Sequence, residues 1–192
     1  MEFIKDISWE EIFSSWRERE GTNPKWIKVA TEVKGWSDWQ SWRQFTASQI
    51  RAAEREWKIF KFSDPLQEIP EMLVGPYSGW QADLSEKNSL SFSQFLEVPI
   101  KYEVFSNSEG LVSMMNALPF DTEFIGIRRL DTNQIVCIEG HHRATAIALS
   151  KKLEKNIDFS TTELTIALFD LPVEEIDLFD MMLERGTTNI PK

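Results

Sequence analysis

Cysteine and histidine are both scarce in this sequence, which contains one cysteine and two histidines in 192 residues. With Cys137 alone, the chain can form neither an internal disulfide framework nor a cysteine-based metal cluster. The histidines are His141 and His142, and adjacent histidines seldom point at the same metal ion. The composition therefore predicts a reduced, cytoplasmic protein and gives little support for a zinc site.

Long hydrophobic runs and excess basic charge are also lacking. No apolar stretch approaches the roughly 18 residues of a membrane-spanning helix, and the N-terminus shows no basic segment followed by an apolar one, as a signal peptide would. The chain has 21 basic and 31 acidic side chains, which give a net charge of −10. Because nucleic-acid binding depends on cations that neutralise phosphates, we do not expect DNA to be a partner. Because the sequence lacks a long apolar stretch, we do not expect a membrane to be one either.

Tryptophan, in contrast, is abundant, and six of the eight tryptophans precede Trp57. The capping-box pattern SWEE at residues 8–11 predicts a helix over residues 9–19, and the same spacing at residues 37–40 predicts a long amphipathic helix reaching Trp57. We therefore expect residues 1–56 to form a helical, tryptophan-rich N-terminal extension. Its aromatic side chains either pack the extension onto the rest of the protein or form a docking surface for a protein partner.

From Trp57 onward the pattern changes to that of a mixed α/β (α+β) domain, which we place at residues 57–192. Alternating apolar residues predict strands at residues 57–62, 98–105, 123–130, 134–138 and 163–169, with a hairpin turn at residues 131–133. Helices are expected to begin near residues 107, 143 and 172, the last ending at Gly186. Residues 63–80 are rich in proline and glycine and predict an ordered loop, followed by a polar surface segment at residues 81–95.

The stretch CIEGHHRATAIAL, residues 137–149, predicts a corner at which an apolar strand turns into a helix. The first N–H groups of a helix have no internal partner and favour anions. Gly140 lets a ligand approach the backbone, Arg143 offers a planar fork for phosphate oxygens, and His141 and His142 can donate hydrogen bonds or carry protons. An interpretation without a ligand is equally open, with the histidines capping the helix and Arg143 in an ion pair.

Two common phosphate-binding motifs are excluded at this corner. A Walker loop needs a longer glycine loop ending in Lys-Ser/Thr, and the dinucleotide fingerprint needs three spaced glycines. The stretch IVCIEGHHRATAIAL instead resembles the signature of the ParB/sulfiredoxin superfamily, in which a hairpin strand runs into Gly-x-(His/Arg)-Arg at the start of a helix. The predicted order of elements over residues 57–186 is similar as well, so the resemblance implies a small mixed sheet of the ParB/sulfiredoxin type.

Three branches of that superfamily set different expectations for this chain. Sulfiredoxins carry a catalytic cysteine just before the His-Arg pair, where this chain has His141, so thiol chemistry is not expected. Partition proteins bind CTP and read DNA with a further helix-turn-helix domain, and no such domain is expected within the 192 residues of this sequence. The segment from Glu139 to Arg143, EGHHR, is most similar to the Asp-Gly-His-His-Arg motif of kinases that use ATP or ADP to phosphorylate free serine.

The resemblance implies that the corner binds the phosphates of ATP, ADP or CTP together with Mg²⁺. The phosphate-binding residues would be found between residues 140 and 145, namely Gly140, His141, His142, Arg143 and Thr145. Glu139 is the candidate metal-organising carboxylate or base, and His141 is a further candidate for handling protons. In the proline-rich loop, Glu68 or Glu71 is a candidate base that accepts the proton of a substrate hydroxyl.

Two further features complete the predicted site. Gly75, Pro76 and Tyr77 are expected to cover the bound nucleotide, although turn chemistry alone also accounts for them. Of Arg128 and Arg129, at most one is expected to help, because alternate strand residues face opposite sides. We therefore expect a nucleotide-dependent phosphotransferase or hydrolase acting on a small hydroxyl-bearing molecule. The alternative is a non-catalytic nucleotide-sensing or protein-interaction module, and a ParB-like nuclease or DNA-partition protein is disfavoured by the net charge.

Overall fold

The computed structural model describes residues 1–184, which form one five-stranded mixed sheet with helices on both of its faces. The strands are β1 (Glu2–Ile7), β2 (Trp57–Lys61), β3 (Thr122–Arg129), β4 (Ile135–Glu139) and β5 (Leu164–Leu171). The α-helices are α1 (Trp9–Glu20), α2 (Pro24–Lys28), α3 (Trp39–Gln49), α4 (Pro65–Glu68), α5 (Ser78–Gln81), α6 (Phe92–Phe95), α7 (Pro99–Ser106), α8 (Glu109–Asn116), α9 (His141–Lys152) and α10 (Leu178–Glu184). The mixed α/β class is thus confirmed.

The sheet has the strand order β1-β2-β5-β3-β4. β3 and β5 run parallel, and the other neighbouring pairs are antiparallel. The chain passes from β3 through the β4 hairpin and α9 before it returns as β5, as a parallel pair requires a long connection. The predicted hairpin is confirmed, and it delivers the end of β4 directly into α9.

The N-terminal segment belongs to the same sheet and the same core as the rest of the chain. β1 pairs with β2 from Glu2 to Ile7, which the helical prediction for residues 1–56 missed. Trp16, Trp39, Trp42 and Trp57 are buried in one cluster that also contains apolar residues of β3 and β5. Core packing is therefore the structural role of these four tryptophans, and the expected boundary between residues 56 and 57 lies inside a shared sheet and core.

The second core cluster lies on the other face of the sheet, beneath α9. It joins Phe124 of β3 and Ile166 of β5 to the helix residues Ala144 and Ile147, all fully buried. Alternate residues of the same strands, such as Ile125 and Ala167, belong to the first cluster. The helix α9 is thus fixed by burial along most of its length, which holds its N-terminus in a defined position.

Two predicted helices in the N-terminal segment differ in how they begin and end. The capping box of Ser8 and Glu11 is present and starts α1. The second helix, α3, is capped by Asp38, whose carboxylate accepts from the Ser41 N–H. It ends at Gln49 and does not reach Trp57, because the chain turns at Arg51, which has a left-handed φ of 51°.

Three predictions after Trp57 differ from the structure, and one of them was wrong in the type of element. Residues 98–105, predicted as a strand, form helix α7, in which Pro99 occupies the first turn, where a missing N–H has no cost. Residues 81–95 are not simply a polar surface segment, since Phe92 and Phe95 are fully buried. The last predicted helix is broken into a 3-10 turn at Val173–Glu175 and α10, and its expected end at Gly186 lies outside the described residues.

Within residues 1–184, none of the helices is both long enough and apolar enough to cross a membrane.

Candidate functional site

The strand-to-helix corner is formed as predicted, with Gly140 between β4 and α9. Gly140 has φ 106° and ψ 12°, a left-handed conformation that side chains disfavour. A Cβ atom at this position would lie 2.4 Å from Cδ1 of Phe124, closer than any real contact. The backbone turn and the Phe124 ring therefore require glycine at this position whether or not a ligand binds.

The N-terminus of α9 has no side-chain cap, because its capping residue is Gly140. The first hydrogen bond within the helix runs from the Ala144 N–H to the Gly140 carbonyl at 2.9 Å. The N–H groups that precede Ala144 belong to His141, His142 and Arg143, and all three residues border a cavity. A helix of 12 residues concentrates partial positive charge at this end, which suits an anion.

The cavity has a volume of about 530 Å³ and lies between the N-terminal segment and the corner. Its charged lining is strongly basic, with five Lys or Arg residues and two Glu residues. The cations are Arg19, Lys25, Lys34, Arg43 and Arg143, and the anions are Glu20 and Glu139. Trp26, Trp42, Tyr77 and Trp80 add aromatic walls. This local excess of positive charge contrasts with the net charge of −10 for the whole chain.

Arg143 is held at the cavity wall by an ion pair. Its Nη2 donates to both carboxylate oxygens of Glu139 at 2.5 Å, and its Nη1 donates to Oγ1 of Thr122. The guanidinium also lies over the Phe124 ring, 5.3 Å from its centroid. Glu139 is almost fully buried, and Arg19 Nη2 lies 4.0 Å from its Oε2. Glu139 is thus neutralised by arginine, as the interpretation of the corner without a ligand expects.

His141 is buried and acts as a hydrogen-bond acceptor. Its Nε2 accepts from the Gly75 N–H at 3.2 Å, and its Nδ1 lies 3.8 Å from Sγ of Cys137. Burial lowers the pKa of His141 from 6.5 to about 3, with smaller contributions from the charges of His142, Arg43 and Arg143. The imidazole is therefore neutral at physiological pH, and these contacts assign it to the wall of the cavity more than to proton transfer.

His142 is the histidine that faces the open cavity. Its ring lies between two tryptophans, with centroid distances of 6.3 Å to Trp26 and 5.1 Å to Trp80. The surrounding walls lower its pKa by desolvation, and the positive charges of Lys25 and Arg143 lower it further. A neutral imidazole here can donate one hydrogen bond and accept another.

The predicted covering loop contributes Tyr77 to the cavity but not its two preceding residues. Gly75 and Pro76 are buried behind the wall, and a Cβ atom on Gly75 would lie 2.0 Å from the Cys137 carbonyl oxygen. The Tyr77 hydroxyl donates to the Ile138 carbonyl at 3.2 Å, and burial raises the pKa of Tyr77. Tyr77 is thus a protonated wall residue that ties the loop to β4.

The predicted bases Glu68 and Glu71 lie away from the cavity. Glu68 accepts from the N-terminal ammonium of Met1, and its other oxygen accepts from backbone N–H groups at the start of α4. Glu71 lies 3.5 Å from Nζ of Lys151, near the far end of α9, which a rise of about 1.5 Å per residue places well away from its N-terminus. The geometry therefore leaves neither carboxylate in reach of a ligand at the corner.

Three further residues considered from the sequence also point elsewhere. Thr145 is fully buried, and its hydroxyl donates to the His141 carbonyl at 2.8 Å. Arg128 pairs with Asp170, and Arg129 pairs with Asp131, so both arginines of the hairpin are engaged outside the cavity.

The sequence analysis missed the part of the site that the N-terminal segment supplies. Lys25, Trp26 and Lys34 line the cavity, and Arg43 lies over the Trp42 ring at 4.0 Å while pairing with Glu20 at 2.8 Å. The basic and aromatic stretch PKWIKVATEVK, residues 24–34, carried the signal. Its meaning depends on long-range packing, since these residues meet α9 only in the folded chain.

A preformed metal site is absent from the part of the chain that the structure describes. No group of three or more His, Cys, Asp or Glu side chains there could hold a metal ion. No protein-family model, curated protein or solved structure matches the chain.

Proposed function

We propose that this chain is a member of the ParB/sulfiredoxin superfamily that binds a nucleotide in the cavity at the N-terminus of α9. The observation that supports the proposal most is the charge of the cavity, five Lys or Arg residues against two Glu residues in a chain of net charge −10. The excess of cations over carboxylates in the concave lining attracts small anions. The negative charge of the rest of the chain repels extended polyanions.

In this proposal the phosphates bind at the uncapped end of α9. The free N–H groups of the first turn and the ring of His142 donate to phosphate oxygens, and the guanidinium of Arg143 supplies charge. The aromatic walls, Trp26 and Trp80, provide flat surfaces on which a nucleotide base can stack. The volume of about 530 Å³ lies within the range of roughly 300–1,000 Å³ that small-molecule sites occupy.

We further propose that the bound nucleotide is consumed by phosphoryl transfer to a small hydroxyl-bearing molecule or to water. The transfer needs a group that accepts the proton of the attacking hydroxyl. His142 fits this role best among the predicted residues, because it faces the cavity and its pKa is lowered, so that it is neutral at physiological pH. Glu139 is held by Arg143 and fits the role less well.

In this proposal Mg²⁺ enters the site together with the nucleotide. Mg²⁺ in nucleotide sites is commonly held by one or two carboxylates together with phosphate oxygens and water. Glu139 and Glu20 are the carboxylates at the cavity, and both are paired with arginine. When bound, the ion would neutralise charge on the phosphates.

The competing function is non-catalytic nucleotide sensing. Two observations favour it. The carboxylates that line the cavity are each paired with an arginine, and His141 is held by the Gly75 N–H. A sensor requires only the anion clamp, whereas a transferase also requires the base. Turnover therefore separates the two functions.

The proposal is tested by thermal unfolding of the protein with ATP, ADP, CTP and GTP, each with Mg²⁺. A ligand at 100 times its Kd stabilises the folded protein by about 2.7 kcal/mol, which raises Tm by roughly 5 to 10 °C for a chain of this size. Arg143→Gln should reduce the shift, and the matched control Arg128→Gln, which lies outside the cavity, should retain it. If none of the four nucleotides stabilises the wild-type protein, nucleotide binding is refuted. The nucleotide that stabilises the protein is then assayed for phosphate release and for phosphoryl transfer. Turnover of that nucleotide indicates a transferase or hydrolase, and binding without turnover indicates a sensor.

A further inference from the structure

Lys25 and Lys34 differ from the other cations of the cavity in lacking a carboxylate partner. Arg43 pairs with Glu20 at 2.8 Å, Arg143 pairs with Glu139, and Arg19 pairs with a glutamate of β3 at 3.1 Å. Within residues 1–184, neither lysine lies in an ion pair, although both line the cavity. Of the four cations that the N-terminal segment contributes to the cavity, these two lysines are therefore not neutralised by a carboxylate of the described residues.

Both lysines belong to the part of the cavity wall that the N-terminal segment supplies. Burial lowers the pKa of Lys34, and no acidic group opposes that effect. Lys25 precedes Trp26 in α2, and the Trp26 ring centroid lies 6.3 Å from that of His142, so the helix that carries Lys25 packs beside the first turn of α9. The lysines thus extend the positive region of the α9 corner towards the N-terminal segment.

The neighbouring residue Lys28 shows how selective this arrangement is. It lies on the same short helix, α2, and is exposed like Lys25, but it pairs with Glu32 at 3.7 Å. Lys28 does not line the cavity. Of the two exposed lysines of α2, the one outside the cavity is paired with a carboxylate and the one that lines the cavity is not.

We propose that Lys25 and Lys34, on the part of the cavity wall that the N-terminal segment supplies, form a second oxyanion-binding subsite for a ligand set that carries at least two acidic groups. The inference rests on the proposed function and adds to it a role for the N-terminal segment. The second acidic group is either a further phosphate of the same nucleotide or an acidic group of the second substrate. Both are oxyanions, and a lysine ammonium binds either one as a point charge.

The test compares wild type, Lys25→Gln, Lys34→Gln and the matched control Lys28→Gln by isothermal titration calorimetry. The ligands are inorganic pyrophosphate, AMP, ADP and ATP. Loss of a hydrogen bond to a charged group reduces the binding free energy, so each cavity variant should weaken pyrophosphate binding by about tenfold. Lys28→Gln should leave the pyrophosphate affinity unchanged. These variants remove exposed or half-buried side chains outside the core, so they should keep the Tm of the wild-type protein.

The pattern of losses identifies the source of the second acidic group. A loss that grows from AMP to ATP assigns the subsite to the phosphates of the nucleotide. The subsite belongs to a separate acidic substrate if two results coincide. The loss of affinity is confined to pyrophosphate, and sulfate stabilises the ATP-saturated wild type but not ATP-saturated Lys25→Gln. Equal affinities of Lys25→Gln, Lys34→Gln and wild type for all four ligands, or no binding of pyrophosphate to the wild type, would overturn the subsite.

The same titrations separate the subsite from nucleotide binding itself. If the wild type binds ATP and both cavity variants bind it equally well with unchanged pyrophosphate affinity, the proposed function stands and the subsite is refuted. If the wild type binds pyrophosphate through Lys25 and Lys34 but binds no nucleotide, the subsite stands and the nucleotide proposal fails.

Discussion

The backbone N–H of Gly75 donates a hydrogen bond to Nε2 of His141 at 3.2 Å and so joins the proline-rich loop to the first residue of α9. The bond places the proton of the neutral imidazole on Nδ1, because Nε2 must accept. A protonated ring would direct a second N–H at the donor and break the contact. The neutral state of His141 is therefore part of the way the cavity wall is held together.

The first prediction concerns pH and the stability of the folded chain. The pKa of His141 is about 3 in the folded protein and 6.5 without the protein environment, so the unfolded chain binds the proton first as pH falls. The free energy of unfolding should therefore decrease from about pH 6.5 downward, by up to about 1.4 kcal/mol per pH unit, and should not change on this account at higher pH. Urea denaturation at pH 7.5, 6.5 and 5.5 measures the slope.

His141→Gln is the control for this prediction, because its amide oxygen can accept from Gly75 but does not titrate. The variant should lose stability less steeply than wild type between pH 6.5 and 5.5. A wild-type slope equal to that of the variant would show that His141 protonates normally in the folded state. Titration of the imidazole resonances of His141 by NMR gives an independent measurement of the same pKa.

The second prediction concerns the glycine at the corner. Gly140→Ala introduces a Cβ atom into a left-handed backbone with φ 106° and 2.4 Å from the Phe124 ring. We expect the free energy of unfolding to fall by roughly 1 to 3 kcal/mol from the backbone strain, with a further loss from the clash. Gly110→Ala is the matched control, since a Cβ atom on Gly110 of α8 meets nothing within 4 Å.

Because alanine is the better helix former, Gly110→Ala should be neutral or stabilising by up to about 1 kcal/mol. Chemical denaturation of the two variants beside wild type makes the comparison. Equal stability of Gly140→Ala and wild type would mean that the turn does not need a left-handed residue.

The corner could be predicted from the sequence because its determinants are local. The turn at residues 131–133 sets the hairpin, and Gly140 marks the point at which strand periodicity becomes helical periodicity. The capping box at Ser8 is local in the same way. The prediction was wrong where two local rules disagreed. In α7 the β-favouring side chains suggested a strand, but Pro99 at the first position supports a helix.

The shape of the cavity could not be predicted, because it depends on contacts between distant parts of the chain. Lys25 meets the α9 corner only after the tryptophans of α1 and α3 pack against the sheet. The partners of Glu68 and Glu71 were equally out of reach, since Glu68 binds the N-terminus and Glu71 lies beside Lys151. Neither contact follows from spacing along the sequence.

The third prediction concerns the ion pair between Glu139 and Arg143. Only 7% of the Glu139 side chain is exposed, against 17% for Arg143, so the carboxylate loses more when its partner is removed. Arg143→Met should lower the free energy of unfolding by about 3 kcal/mol, because it leaves a buried charge unpaired. Glu139→Gln should cost less, since the guanidinium can hydrate at the cavity.

The double variant Glu139→Gln, Arg143→Met should be more stable than the sum of the single losses predicts, by about 1 kcal/mol or more. The four proteins are compared by urea denaturation at pH 7.5. Strict additivity would show that the two side chains do not depend on each other in solution.

The last prediction concerns the pH dependence of turnover and follows from the proposed role of His142. A base must be unprotonated to accept the proton of the attacking hydroxyl, so kcat should be low when His142 is protonated and should rise as pH increases through its pKa. Desolvation by the cavity walls, with the charges of Lys25 and Arg143, places that pKa below 6.5. The acidic limb of the profile should therefore lie below the ordinary range of a histidine, and activity should be flat from there through neutral pH.

Lys25→Gln removes one of the charges that lower the pKa of His142, so it should move the limb to higher pH, whereas Lys28→Gln should leave it in place. His142→Gln should abolish the limb together with most of the turnover while a nucleotide still stabilises the protein. A limb that stays unchanged in Lys25→Gln, or full activity in His142→Gln, would assign the proton transfer to another group.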